Sequence, residues 1–146
     1  HTGVQGNWGW VPHSDPLLLL PLLHKYPKVK FDLFHAGYPY VREIGMLGKH
    51  WPNVYLNMAW MYVISMEGSR QGLSEWVDLV PGTRLLAFGS DVGWPEMVYA
   101  HLVMARSCLA DVLATKVERD FLSEKMAMEL LHKMLHDNAV ELYKLQ

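Results

Sequence analysis

Apolar residues in this sequence fall into short continuous runs that alternate with longer segments of helical periodicity. The runs predict three strands buried on both faces, over residues 29–35, 54–58 and 84–88. The periodic segments predict helices over residues 16–26, 40–50, 69–79 and 95–117. Ser123 is expected to cap a further helix, and a last short helix is predicted over 138–145. Strands and helices that alternate in this way are typical of βα units and a parallel sheet, so the predicted fold class is α/β.

Two smaller features complete this pattern. Residues 2–14 and 60–64 lack periodicity and are rich in glycine or aromatic residues, so each is predicted to form a loop beside the end of a strand. Ser14 or Asp15 can cap the first helix, which begins at Pro16. In the long fourth helix, the residues expected to face the core are Val98, Leu102, Ala105, Leu109 and Val112.

Composition excludes several classes of protein. A chain of 146 residues with 51% apolar content fits one domain, 1–146, with a core of its own. The formal net charge of −2 and the pI near 6.5 give no electrostatic reason to expect nucleic acid or an anionic membrane as a partner. The apolar run at 16–23 is interrupted by Pro21 and is too short to span a bilayer. Cys108 is the only cysteine, which excludes an internal disulfide and fits a cytoplasmic location.

Chemically reactive side chains stand where strands end. His35 closes the first predicted strand, and Asp91 follows the third after Gly89 and Ser90. The chain begins with His1, and the residues that follow it, Thr2 and Gly3, resemble the end of another strand. Carboxyl ends of parallel strands meet at one edge of a sheet, so these three side chains are candidates for one shared site. The alternatives are a hydrogen bond to a loop carbonyl for His35, a helix N-terminal carboxylate for Asp91, and a frayed or tag-derived end for His1.

Five stretches of the sequence resemble one enzyme family when they are taken in order. They are His1-Thr2-Gly3, His35-Ala36-Gly37-Tyr38-Pro39, Trp51-Pro52-Asn53-Val54-Tyr55, Phe88-Gly89-Ser90-Asp91 and Asp137-Asn138-Ala139-Val140-Glu141-Leu142-Tyr143. Together they resemble the amidohydrolase superfamily, and within it the amidohydrolase-2 group of metal-dependent TIM-barrel enzymes. The resemblance implies a partial (β/α)8 barrel that runs from the tip of the fifth strand through the eighth strand to the C-terminal helices.

The same resemblance implies a metal-dependent hydrolase in which a metal-activated water attacks a carbonyl-like carbon. His1, His35 and Asp91 match metal-binding positions, with zinc the expected ion, and His35 and Asp91 also match catalytic positions. Decarboxylase and uronate isomerase chemistry occur on the same scaffold. The family's His-x-His pair on the first strand has no counterpart here, so a non-catalytic half-barrel fragment that self-associates is the alternative to an enzyme.

Candidate substrate-binding residues lie beside these strand ends. Trp8, Tyr38 and Trp60 are expected to line a pocket for a small-molecule substrate, and Arg42 to pair with a substrate carboxylate. The alternatives are aromatic residues that cover the mouth of the barrel and an ordinary surface ion pair for Arg42.

Two further expectations follow from the sequence. A three-stranded parallel sheet has two unpaired edges, which predicts a homo-oligomer or a missing N-terminal half. His132 and His136 have the i, i+4 spacing of two ligands on one helix face, but without a third ligand nearby they are predicted to be solvated surface residues.

Overall fold

A three-stranded parallel sheet forms the centre of the protein. The computed structural model describes residues 1–6 and 9–146. Strands β1 (Phe31–Leu33), β2 (Val54–Asn57) and β3 (Leu85–Leu86) lie in the order β1-β2-β3. Their register aligns Leu33 with Leu56 and Leu56 with Leu85, so these buried leucines form a row on one face of the sheet. This row packs against the helices.

Helices connect the strands and follow the last of them. They are α1 (Leu20–Lys25), α2 (Val41–His50), α3 (Met61–Ile64), α4 (Met66–Leu79), α5 (Pro95–Glu118), α6 (Glu124–His132) and α7 (Asn138–Tyr143). The order β1-α2-β2-α3-α4-β3-α5 repeats the βα unit three times, which gives an α/β, partial TIM-barrel-like fold.

The core lies between the sheet and helices α2, α4 and α5. Its fully buried members include Ile44, Leu47, Leu73, Trp76, Cys108 and Leu109. At Gly48 an added Cβ would stand 2.9 Å from Leu56 Cδ1, so glycine allows α2 to approach the sheet closely. The predicted cap at Ser123 is confirmed, because its hydroxyl accepts a hydrogen bond from Met126 N–H at 3.2 Å.

Several element boundaries differ from the predicted ones for local reasons. The first helix is divided into a 3-10 turn at Pro16–Leu19 and α1, since Pro21 supplies no amide hydrogen to continue the ladder. The aromatic stretch 60–64, predicted as a loop, contains α3. The third strand is shorter than predicted, because Arg84 belongs to the 3-10 turn Gly82–Arg84 and Ala87 N–H donates to the Met134 carbonyl instead of a strand.

Helix α5 extends beyond the sheet at its N-terminal end. Residues 93–100 are all exposed, so the prediction that Val98 faces the core is wrong. Exposed apolar side chains in this region are Trp94, Met97, Val98, Tyr99 and Val103. By length and composition α5 could also cross a membrane. The buried row formed by Ala105, Cys108, Leu109 and Val112 is typical of a core helix.

Replacing Asn138 with alanine is expected to lower the free energy of unfolding by about 2–4 kcal/mol. The buried Asn138 amide donates at 2.7 Å to the carbonyls of both Gly82 and Leu85, and both would lose a donor. Urea unfolding followed by circular dichroism measures the change. Glu141→Ala, at an exposed position of the same helix, should stay within about 0.5 kcal/mol of the parent. Equal stability of the two variants would contradict this account.

Candidate functional site

The carboxyl ends of the three strands hold most of the unusual backbone of the protein. Of six non-glycine residues with positive φ in the described ranges, four lie here: His35 (63°), Ala36 (51°), Trp60 (60°) and Asp91 (47°). A left-handed residue with a Cβ costs about 1–2 kcal/mol, and such strain is typically found at functional sites. The concentration of strain therefore marks this edge of the sheet as the candidate site.

His35 is buried and held in a defined orientation. Its side chain is 3% exposed, and Nδ1 lies 3.0 Å from the carbonyl oxygen of Ala59. A carbonyl can only accept, so Nδ1 carries the hydrogen and the lone pair of a neutral ring is on Nε2. Nε2 faces Asp91, with 3.8 Å to Oδ2. The ring of Trp60 stands edge-on to the imidazole at 6.4 Å between centroids.

The first three residues are packed against the His35 turn. Thr2, which is buried, donates its hydroxyl hydrogen to the Phe34 carbonyl at 2.8 Å, and Gly3 N–H donates to the Ser14 carbonyl at 2.8 Å. With these bonds in place, the ring centroids of His1 and His35 are 4.3 Å apart. The structure thus brings together His1, His35 and Asp91, the three residues that the sequence predicted to share a site.

Replacing Gly3 with alanine is expected to detach this N-terminal segment. Gly3 has φ of 68°, and an added Cβ would lie 2.3 Å from the Gly37 carbonyl carbon, which is backbone and cannot move aside. The local cost should be about 1–2 kcal/mol, seen as faster hydrogen exchange at the residue 3 amide. Gly6→Ala is the matched control, because nothing lies within 4 Å of a Cβ there. Unchanged exchange in Gly3→Ala would contradict this packing.

Asp91 presents its carboxylate to solvent from a fixed loop. Its side chain is 54% exposed. The Gly89 carbonyl accepts from Trp60 N–H at 2.9 Å, and the Ser90 carbonyl lies 2.8 Å from His101 Nδ1. The backbone on the N-terminal side of Asp91 is therefore held on two sides, whereas its oxygens remain accessible.

Two residues that the sequence analysis did not select support the site. Asn57 donates to Asp32 Oδ2 at 3.0 Å and accepts from Ala59 N–H at 2.9 Å, and Ala59 in turn binds His35. His101 is buried on α5 and holds the Ser90 carbonyl. Both carried a signal in the sequence, since Asn57 is a polar residue closing an apolar strand and His101 extends the apolar row of α5.

Asp32 is the polar residue at the base of this network. Burial raises the pKa of its carboxyl group, while hydrogen bonds from Tyr143 and Asn57 act in the opposite direction. Both of these donors reach Oδ2, and Oδ1 is buried without a partner in the described part of the chain. Hydrogen bonds through Asn57 therefore connect the carboxyl group of Asp32 to the Ala59 peptide, which orients His35.

The predicted substrate-binding residues divide into separate groups. Tyr38 lines a cleft of about 340 Å³ with Gly3, Val11 and Pro39, beside the candidate site. Arg42 is on the outer surface of α2, where Nε and Nη2 donate to Glu75 Oε1 at 3.0 and 2.8 Å. The structure thus gives Arg42 the surface ion pair that was its alternative. Trp8 lies outside the described residues.

The side chains near His35 are of types that bind divalent metal ions, although among the described residues the ligand atoms of His1, His35 and Asp91 do not form a group within 4.8 Å of one another. Two imidazoles and one carboxylate are ligand types that zinc accepts. A metal-binding histidine usually donates its second ring hydrogen to a carbonyl or carboxylate, as His35 does to Ala59. His1, His35 and Asp91 are the residues that could hold such an ion.

Comparisons with known proteins show the family of this chain. The amidohydrolase family model matches residues 1–145. Protein fluG from Emericella nidulans is 33% identical over 146 residues, which cover 99% of this chain and 17% of fluG. A solved structure from Lactobacillus casei, of a protein provisionally assigned as a metal-dependent hydrolase, has a TM-score of 0.81 and 26% identity, and the match covers 99% of this chain and 38% of that one. The chain therefore belongs to the amidohydrolase family, and it spans well under half the length of either relative.

Proposed function

We propose that this chain is the C-terminal half of a metal-dependent hydrolase barrel and forms one domain over 1–146. The observation that carries this proposal is the position of His35 beside both His1, at 4.3 Å between ring centroids, and Asp91, at 3.8 Å from Nε2 to Oδ2. In the proposed barrel, β1, β2 and β3 are the sixth, seventh and eighth strands, and residues 1–3 follow the fifth. The match to a solved structure provisionally assigned as a metal-dependent hydrolase supports the hydrolase family and the barrel-like fold.

The residues of this chain divide the proposed work among them. Ala59 holds His35 in one tautomer, so that Nε2 is available to the site. The exposed carboxylate of Asp91 is the group that accepts the proton of the attacking water at Oδ2. His1, His35 and Asp91 would hold zinc or a similar ion, which would lower the pKa of a bound water to about 7.

The proposed substrate is a small molecule with a carbonyl-like carbon, bound in the cleft that Tyr38 lines. Trp60 stands beside His35 and would contact the reacting end of that molecule. Decarboxylase or isomerase chemistry on the same scaffold would use the same residues, because reaction type depends on the site and not on the fold. We expect the protein to act in the cytoplasm without nucleic acid or membrane partners.

A second proposal concerns what completes the sheet. The apolar side chains at the start of α5, among them Trp94 and Tyr99, are exposed, and β1 and β3 lie at the edges of the described sheet. Surfaces of this kind are normally covered in a stable protein. The cover is either an N-terminal half barrel or a second copy of this chain, and the latter corresponds to a self-associated, non-catalytic fragment.

Metal analysis of the purified, size-fractionated protein tests the proposed function. The experiment uses a His136→Ala background, which removes a candidate surface ligand described below. We expect about one zinc per chain after loading and dialysis, lost in Asp91→Ala and retained in the control His24→Ala, an exposed position on α1. Folded protein without zinc, or zinc retained in Asp91→Ala, would overturn the proposal. The mass of the same sample shows whether the chain self-associates.

A further inference from the structure

A second group of metal-ligand side chains lies on the C-terminal helices. His132 is the last residue of α6, and His136 and Asp137 belong to the π turn Lys133–Asp137 that joins α6 to α7. Nδ1 of His132 is 3.1 Å from Asp137 Oδ2, and Nδ1 of His136 is 2.9 Å from Asp137 Oδ1. One ligand atom from each of the three residues lies within 4.8 Å of the others, and all three side chains are exposed.

The π turn is what brings the third ligand to the pair. In an α-helix, residues four apart share a face, whereas a residue five apart is turned away. The π turn forms i to i+5 hydrogen bonds, here from Asn138 N–H to the Lys133 carbonyl, so residues five apart become stacked. Asp137 therefore reaches His132 as well as its neighbour His136. This backbone feature overturns the prediction that the histidine pair has no third ligand nearby.

The turn that carries these ligands is firmly attached to the core. Met134 is buried, and its carbonyl accepts from Ala87 N–H at 2.9 Å. Asn138, directly after Asp137, is fixed by its two hydrogen bonds to Gly82 and Leu85. Isolated π turns inside helices are frequently found at functional sites. The backbone of the cluster is thus held in place before any ion binds.

The three side chains are also of suitable chemical types. The Asp137 carboxylate lies between the two imidazoles, with one oxygen near each ring. Imidazole nitrogen suits zinc, copper and nickel, and a carboxylate oxygen is a common additional ligand for zinc. Two imidazoles and one carboxylate on an exposed surface leave the remaining coordination positions to water.

We propose that His132, His136 and Asp137 form a second site, for a divalent transition-metal ion such as Zn²⁺, which bridges the end of α6 and the π turn that follows it. The site is separate from the candidate active site. Asn138, next to Asp137, is bonded to the residues where β3 begins, whereas Asp91 follows the end of that strand. The two groups of ligands therefore share no residue and stand on different elements. The role of the ion is structural, because it would hold the π turn against the last residue of α6.

Calorimetric titration with Zn²⁺ tests this site. The experiment uses the Asp91→Ala background, so that binding at the candidate active site does not contribute and the result is independent of the proposed function. We expect one zinc per chain, with affinity reduced at least about tenfold in each of His132→Ala, His136→Ala and Asp137→Asn. His24→Ala, an exposed histidine outside the cluster, is the matched control and should bind as the parent does.

Thermal unfolding provides the second measurement. In the same Asp91→Ala background, zinc should raise the melting temperature of the parent and of His24→Ala, and should not raise that of the three cluster variants. Because all three side chains are exposed, the variants without zinc should melt close to the parent, which separates loss of binding from loss of folding. Absence of zinc binding by the folded parent, or equal binding by His132→Ala, would overturn the proposal.

Discussion

Replacing Trp76 with alanine is expected to reduce the free energy of unfolding by about 3–5 kcal/mol. The indole is 1% exposed and lies in the core between α2 and α4, and its Nε1–H donates to the Val41 carbonyl at 3.0 Å. The substitution removes a large apolar surface, opens a cavity and leaves this carbonyl without its donor. A loss of this size is a large fraction of the stability of an ordinary domain, which is about 5–15 kcal/mol.

Trp94→Ala is the matched control, because it makes the same chemical change at a side chain that is 70% exposed. We expect its unfolding midpoint in urea to stay close to that of the parent at the same protein concentration. If Trp94→Ala proves as destabilising as Trp76→Ala, Trp94 must be covered in the assembled protein. That outcome would locate the surface that a second copy or an N-terminal half barrel occupies.

The elements of the fold were predictable wherever a single face is buried. Helix α2 was predicted to within one residue of its start, since Ile44 and Leu47 mark one continuous stripe. Val98 was assigned to the core because periodicity shows which residues share a face and does not show how far the covering layer extends. The π turn between α6 and α7 was not predicted, because it depends on hydrogen bonds to residues distant in sequence. Met134 accepts from Ala87 N–H, and Asn138 donates to the Leu85 carbonyl.

The candidate site was predictable for a different reason. In a parallel sheet the carboxyl ends of all strands meet, so a histidine and an aspartate at two strand ends come together whatever the sequence between them. What could not be predicted is the support behind them. The link from Asp32 through Asn57 and Ala59 to His35 joins residues on two strands, and its existence depends on register, which the sequence pattern alone does not specify.

Replacing Asn57 with leucine should affect both stability and the candidate site. Leucine has a similar size and cannot hydrogen-bond, so Ala59 N–H loses its acceptor and Asp32 loses one of its two donors. One buried N–H left unpaired and a partly buried carboxyl group that keeps only Tyr143 as a donor together cost about 2–5 kcal/mol. Because the Ala59 peptide also orients His35, zinc affinity measured in the His136→Ala background should fall by about 10–100-fold, the usual effect of losing a group behind a metal ligand.

Asn53→Leu separates these two effects. Asn53 is also buried and adjoins the same strand at its other end, where its amide donates to the carbonyls of Tyr26 and Val29 at 3.3 and 2.7 Å. It should lose comparable stability and keep the parent's zinc affinity. Equal zinc affinity in the two variants would mean that the Ala59 peptide holds its position without Asn57. The orientation of His35 would then depend on the strained backbone at His35 and Trp60 and not on the network beneath it.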